Sequence, residues 1–287
     1  MKMLMENWNK FLNEQEGDEK DRTNIAAIPA KQIVAQLANG EMNGPVVSAL
    51  SDYFSPKHAK PIGDVEPKLT PEYLKAFVDL IGAEELENRI KIVQDLLPTD
   101  APAKSEMPAL EPKDAKNVKD ALSDKDGGIY AIDFKDPMAK EPMAEDLGEI
   151  NFDDPRFPSE YTSGMPKDVA NKFLTKGTEK VDGKSGDDVI AVATNQKCKA
   201  SEMKPTQSNI FLGKSLAFAM SGGFAGKNLD GFATMDCDIL DGHHRWSGTI
   251  IASGDGELGN ITKVGAPVNL AIPMLRSIGN AFGNAQK

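Results

Sequence analysis

Apolar positions recur at helical spacing through the first third of the chain and change to short, dense runs in the last third. Leu4, Trp8, Phe11 and Leu12 form a helical stripe over residues 1–16, opposite Glu6, Asn9, Lys10 and Asn13. Ile33, Val34 and Leu37 follow Pro29 and stop at Asn39-Gly40, which predicts a short helix; Val46, Val47, Leu50 and Phe54 predict a second. Thr70-Pro71 is a cap followed by a first-turn proline, and Tyr73, Leu74, Phe77, Leu80 and Ile81 supply the apolar face of a third helix. Gly82 breaks it. A fourth runs from about Ala83 to Leu97 with Leu86, Ile90, Val93 and Leu97 inward, closed by Pro98. Further on, Asp154 to Pro158 reads as an extended lead-in, Val169 to Leu174 as a short helix and Lys180 to Asp188 as a charged loop. Val189 to Thr194 reads as a buried strand, and residues 208–220 as a helix ended by Ser221-Gly222-Gly223. Residues 231–240 read as a strand with a turn at Asp236, Arg245 to Ala252 as a helix, Gly254 to Gly259 as a loop, and Ala266 to Ile272 as a strand before a last helix at Pro273.

Between these regions the pattern fails. Residues 98–150 hold 13 Asp/Glu against 7 Lys, with repeated prolines and few large apolar residues. Such a stretch buries too little apolar surface to offset its ordering entropy and reads as an acidic tether, with Gly128 to Ile132 as one short strand-like piece. The expected organisation is an amphipathic tail at 1–23, a helical region at 24–97, the linker at 98–150 and a second unit at 151–287, giving an α+β protein whose halves fold independently. The net charge of −11 disfavours tight nonspecific nucleic-acid binding and anionic membranes. No window has 18 apolar residues in a row, and the N-terminus lacks the layout of a signal peptide, so an intracellular protein is expected. Cys198 and Cys237 are expected as reduced, buried small residues. The N-terminal helix is a candidate docking element for a protein partner.

Chemistry concentrates in Ile239-Leu240-Asp241-Gly242-His243-His244-Arg245-Trp246, which holds two of the three histidines at a strand-to-helix turn. Gly242 permits a tight turn, the helix start offers N–H groups and a positive dipole end, and Arg245 adds a forked cation. His243 and His244 are expected to add donors. The turn thus suits a phosphate. Asp241, at the strand end, can orient a hydroxyl or hold a metal bound to phosphates. Zinc is disfavoured, because adjacent histidines rarely point at one metal.

Asp241-Gly242-His243-His244-Arg245-Trp246 resembles the phosphate-binding turn of the ParB/sulfiredoxin superfamily, which in ParB-type proteins is a Gly-Glu-Arg-Arg sequence and in sulfiredoxin Gly-Cys-His-Arg. The Asp-Gly-His-His-Arg form is similar to that of archaeal free-serine kinases and of ParB-like domains of bacteriophages. Met203-Lys204-Pro205-Thr206-Gln207-Ser208 looks like the family's Pro-x-Gln loop, and Lys214 follows in the next helix. The resemblance covers about residues 188–255. It implies a domain with a small mixed sheet and helices, binding a nucleotide di- or triphosphate with Mg²⁺. Gly242, His243, His244, Arg245, Thr206, Gln207, Ser208 and Lys214 would bind the nucleotide. Asp241 and His244 would be catalytic, and Asp241 would organise the metal.

Departures from the family narrow these expectations. Gln207 stands where the serine kinases carry an acid, His243 stands where sulfiredoxin needs cysteine, and about 30 residues after the turn's helix leave no room for a helix-turn-helix. The enzymatic reading is a Mg-dependent NTPase or kinase-like phosphotransferase in a phage host's cytoplasm. The alternatives are a non-enzymatic phage virion or assembly protein retaining the fold, and a ParB-like nuclease.

Overall fold

Pro45 and Pro71 open two of the N-terminal helices, where proline's fixed φ and missing N–H suit a first turn, whereas Pro29, expected at a first helical position, is the extended N-cap just before its helix. The computed structural model describes residues 23–99, 101, 107–110, 112–116, 118–119, 192–221, 228–265, 268, 271–272 and 275–276. The helices are α1 (Ala30–Ala38), α2 (Pro45–Ser51), α3 (Pro71–Ile81) and α4 (Ala83–Leu96). Thr70 Oγ1 accepts from the Tyr73 N–H at 3.3 Å, closing the cap that the sequence predicts. Gly82 takes φ +92° between α3 and α4. Leu80 departs from expectation: it is 68% exposed, and the buried stripe of α3 is Tyr73, Leu74, Phe77 and Val78. The stripe is narrower than the run of apolar residues, so Leu80 falls outside it.

Among its described residues the C-terminal region contains five strands and two long helices: β1 (Val192–Lys199), β2 (Lys204–Pro205), α5 (Leu212–Ser221), β3 (Phe232–Thr234), β4 (Asp238–Ile239), α6 (His243–Ser253) and β5 (Glu257–Val264). They form one mixed sheet in the order β1-β5-β3-β4-β2. β1 runs antiparallel to β5, β5 parallel to β3, β3 antiparallel to β4, and β4 parallel to β2. The protein is therefore α+β, N-terminal helices followed by a mixed sheet with helices.

Several predicted boundaries move. Of the buried strand expected at 189–194, residues 189–191 lie outside the described residues, and 192–194 begin an edge strand, Val192–Lys199, mostly half-buried or exposed, with register shifts around Asn195. An edge strand has solvent on one flank, so its polar C-terminal half is tolerated. The expected loop at 254–259 runs into β5 from Glu257. The expected strand at 266–272 is helical at the described residues 268, 271 and 272. The helix expected from Ser208 begins at Leu212, because other partners take the backbone before it. Ile210 carbonyl accepts from Ile25 N–H at 2.7 Å, and Leu212 N–H donates to Thr23 at 2.9 Å.

Those two bonds show a larger departure. Residues 24–97 do not form a separate body: their apolar faces share one core with α5, α6 and the sheet. Gly213 of α5 lies so close to α2 that a Cβ there would overlap the Ala49 carbonyl. Arg89 of α4 donates to the Ala252 carbonyl at 2.7 Å, at the end of α6. Within the acidic stretch, Met107, Leu110 and Val118 are buried, so this part is not a solvated tether. The expected reduced cysteines are in fact a disulfide, Cys198–Cys237, joining β1 to the β3–β4 turn with Cα atoms 6.3 Å apart. Strands remote in sequence bring them together, which spacing alone does not reveal. The expected N-terminal helix and the elements expected at 128–132, 154–158, 169–174 and 180–188 lie outside the described residues.

Candidate functional site

β2 and β4 pair in parallel, Lys204 beside Asp238 and Pro205 beside Ile239, so both strands end at the same edge. The Thr206–Phe211 loop leaves one and the Leu240-Asp241-Gly242 turn leaves the other. In open sheets with helices, the crevice beyond such strand ends is where ligands bind. The structure thus brings together the two segments that the sequence singles out.

Gly242 explains why the turn can form. Its φ is +104°, in the left-handed region that glycine favours, and a Cβ there would stand 2.8 Å from Leu229 Cγ. Leu240 and Asp241 N–H both donate to Phe232 carbonyl, at 2.8 and 3.0 Å, fixing the turn on β3. α6 then starts at His243, with no side chain capping its first turn.

The histidines are used differently from expectation. His243, 3% exposed, accepts the Thr206 N–H on Nε2 at 3.1 Å. His244, 7% exposed, accepts the Phe211 N–H on Nε2 at 3.0 Å and lies against the Phe211 ring at 5.2 Å. At Nε2 each imidazole therefore presents a lone pair to an amide, and together they clasp both ends of the 206–211 loop to the first turn of α6. Burial lowers the His243 pKa to about 3, which keeps that ring neutral. The Nε2 lone pair of His244 is occupied by the Phe211 amide. The two Nε2 atoms serve different amides, an arrangement unlike a zinc site.

Arg245 is half-buried. Its Nη1 donates to the Asp230 carbonyl at 2.6 Å and to the Leu229 carbonyl. No further hydrogen bond of this guanidinium is present among the described residues. Asp241 is half-buried at the strand end. Thr206 is buried, its hydroxyl donating to the Ile239 carbonyl. Gln207 is 3% exposed, and its amide donates to the Asn209 carbonyl, so it braces the loop. Ser208 is half-buried at the loop's centre. Lys214 lies buried in the first turn of α5.

Sequence reasoning missed the 228–231 segment. Asp230, buried at φ +48°, has its carboxylate bonded by Asn260 and places the two carbonyls that receive Arg245. The signal was the Asp230-Gly231 pair, since aspartate tolerates the left-handed region better than most residues. Among the described residues no group of three His, Cys, Asp or Glu could hold a metal. Mg²⁺ bound mainly through phosphates needs only one or two carboxylates, and the oxygen donor Asp241 fits that use better than the engaged imidazoles do.

Comparison with known proteins finds no match for this chain among family models, curated proteins or solved structures.

Proposed function

We propose that residues 192–265 form a ParB/sulfiredoxin-like domain that binds nucleotide phosphates at the common edge of β2 and β4. The observation that carries this reading is the half-committed guanidinium of Arg245. Nη1 is anchored on carbonyls, and among the described residues nothing bonds the rest of the fork, beside the uncapped first turn of an 11-residue helix. A helix N-terminus and an oriented arginine are complementary to a phosphate. Thr206, Gln207 and Ser208 close the opposite side, and the histidine clasp fixes the spacing between the two segments before any ligand arrives. In this reading His243 and His244 are positioning residues. Asp241 orients an acceptor hydroxyl or binds Mg²⁺, which when present would neutralise phosphate charge.

Thermal shift against ATP, ADP, CTP and GTP with Mg²⁺ tests the reading. A ligand at 100 times its Kd stabilises the fold by about 2.7 kcal/mol. Arg245→Ala is expected to abolish that shift while leaving a cooperative melt. Lack of any shift with all four nucleotides overturns the reading.

A second reading, a non-enzymatic phage assembly protein, is favoured by the use of both histidines and Gln207 to hold backbone. It predicts several copies of the chain per particle by mass spectrometry of purified virions; absence from particles excludes it.

A further inference from the structure

The disulfide lies outside the candidate site, and its surroundings are asymmetric. Cys198 is 4% exposed and shielded on β1, whereas Cys237 is half-buried in the turn between β3 and β4. Lys263 of β5 places Nζ 3.1 Å from Cys237 Sγ and 3.3 Å from the Met235 carbonyl. Among the described residues no carboxylate pairs with this ammonium. Cys237 also has φ +64°, a left-handed conformation that a cysteine rarely adopts. We propose that Cys198–Cys237 is an exchangeable disulfide, reduced and re-formed by a dithiol while the fold persists, with Lys263 as the residue that favours its reduced form.

Access selects the sulfur. A thiolate of the dithiol attacks Cys237 Sγ, the bond between the cysteines breaks, and Cys198 leaves with the electron pair and takes a proton. The second sulfur of the dithiol then attacks its own partner in the mixed disulfide and releases Cys237. Two electrons pass to the cysteine pair and the dithiol becomes a disulfide. The released Cys237 thiolate lies beside Lys263, and a neighbouring ammonium stabilises a thiolate over a thiol.

Among the charged groups near the pair, Lys263 is the one in direct contact with a sulfur, 3.1 Å from Cys237 Sγ, while Asp236 is exposed to solvent. Asp236 and Asp238 flank the cysteine. The Asp238 carboxylate is engaged by the Thr234 hydroxyl at 2.6 Å and lies 3.9 Å from Lys204 Nζ. On the β1 side, Lys197 is paired with Glu257, and Lys199 with Glu202.

The sheet does not depend on the covalent bond for its pairing. β1 is held by its ladder to β5. The turn is held by Lys204 N–H on the Cys237 carbonyl at 3.2 Å and by Cys237 N–H on the Thr234 carbonyl at 3.1 Å. Both strands can therefore keep their places when the sulfurs separate.

The test uses the full chain in buffers of graded reduced and oxidised dithiothreitol, without denaturant. After an acid quench and alkylation, intact mass counts the thiols. Both cysteines are expected to be blocked in oxidising buffer and to become alkylated together as the buffer turns reducing, with the fluorescence of the two tryptophans, Trp8 and the buried Trp246, unchanged. Lys263→Met is expected to lower the equilibrium constant for reduction about tenfold, a midpoint shift of about 30 mV, and Lys263→Arg to restore most of it. Free thiols in oxidising buffer, reduction that requires denaturant, or an unchanged midpoint in Lys263→Met would each overturn the proposal.

Discussion

His243 changes its proton affinity on folding, and this couples a single residue to pH. The imidazole ordinarily titrates near 6.5, and burial in the folded chain moves it to about 3. Between those values the unfolded chain binds more protons, so stability falls as the pH drops through that window and is fully present above it. The expected slope is up to about 1.4 kcal/mol per pH unit. Urea midpoints measured from pH 7 to pH 4 should show it in the native chain and show it reduced in His243→Gln. The same residue shows where sequence reading stops. Asp241 to Arg245 were legible as a strand-to-helix turn, because Gly242 and a polar cluster interrupt the apolar pattern between β4 and α6. The direction of each hydrogen bond was not legible. Histidine both donates and accepts, and the amides it receives, Thr206 and Phe211, lie 37 and 33 residues away. His244→Ala leaves the Phe211 N–H unpaired in a buried place and is expected to destabilise by about 1–3 kcal/mol, read from chemical denaturation. A neutral result would mean that the amide finds another acceptor.

At the scale of elements, close approach governs what can change. Gly213 in α5 and Gly242 before α6 hold positions that a methyl group cannot share, the first because of the Ala49 carbonyl and the second because of Leu229 and its positive φ. Gly213→Ala is expected to part α2 from α5 and lower the melting temperature, although alanine is the better helix former by about 1 kcal/mol. An unchanged or raised melting temperature would show that the two helices do not touch. The N-terminal helices were legible because their start signals are local: a proline, a cap, a glycine break. The strands were harder to place. β2 and β4 have two residues each, too short for any periodicity, and β5 begins in a glycine-rich stretch that reads as a loop. What makes these segments strands is their neighbours in the sheet, and those neighbours come from distant parts of the chain.

For the whole molecule, the shared core replaces the expectation of two independent halves. Composition shows that the 98–150 stretch is acidic, yet composition carries no information on whether the elements on either side of it meet. They meet through Ile25, Leu50 and Ile90 on one side and Ile210, Leu216 and Ile250 on the other, all fully buried in one cluster. A fragment of residues 151–287 would expose the faces of α5 and α6 that these helices cover. It is expected to lack a cooperative thermal transition, whereas the full chain unfolds in one; a sharp melt of the fragment would contradict the shared core. The bond between Cys198 and Cys237 also has a topological consequence, because it closes a covalent ring around everything between them. That ring contains the whole 206–211 loop, α5 and β3. A protease that cuts once anywhere inside it therefore releases nothing: the two pieces stay linked and migrate together until a reductant is added. Nicked and intact chains should accordingly run alike in mass on a denaturing separation without reductant, and resolve into two fragments only with it.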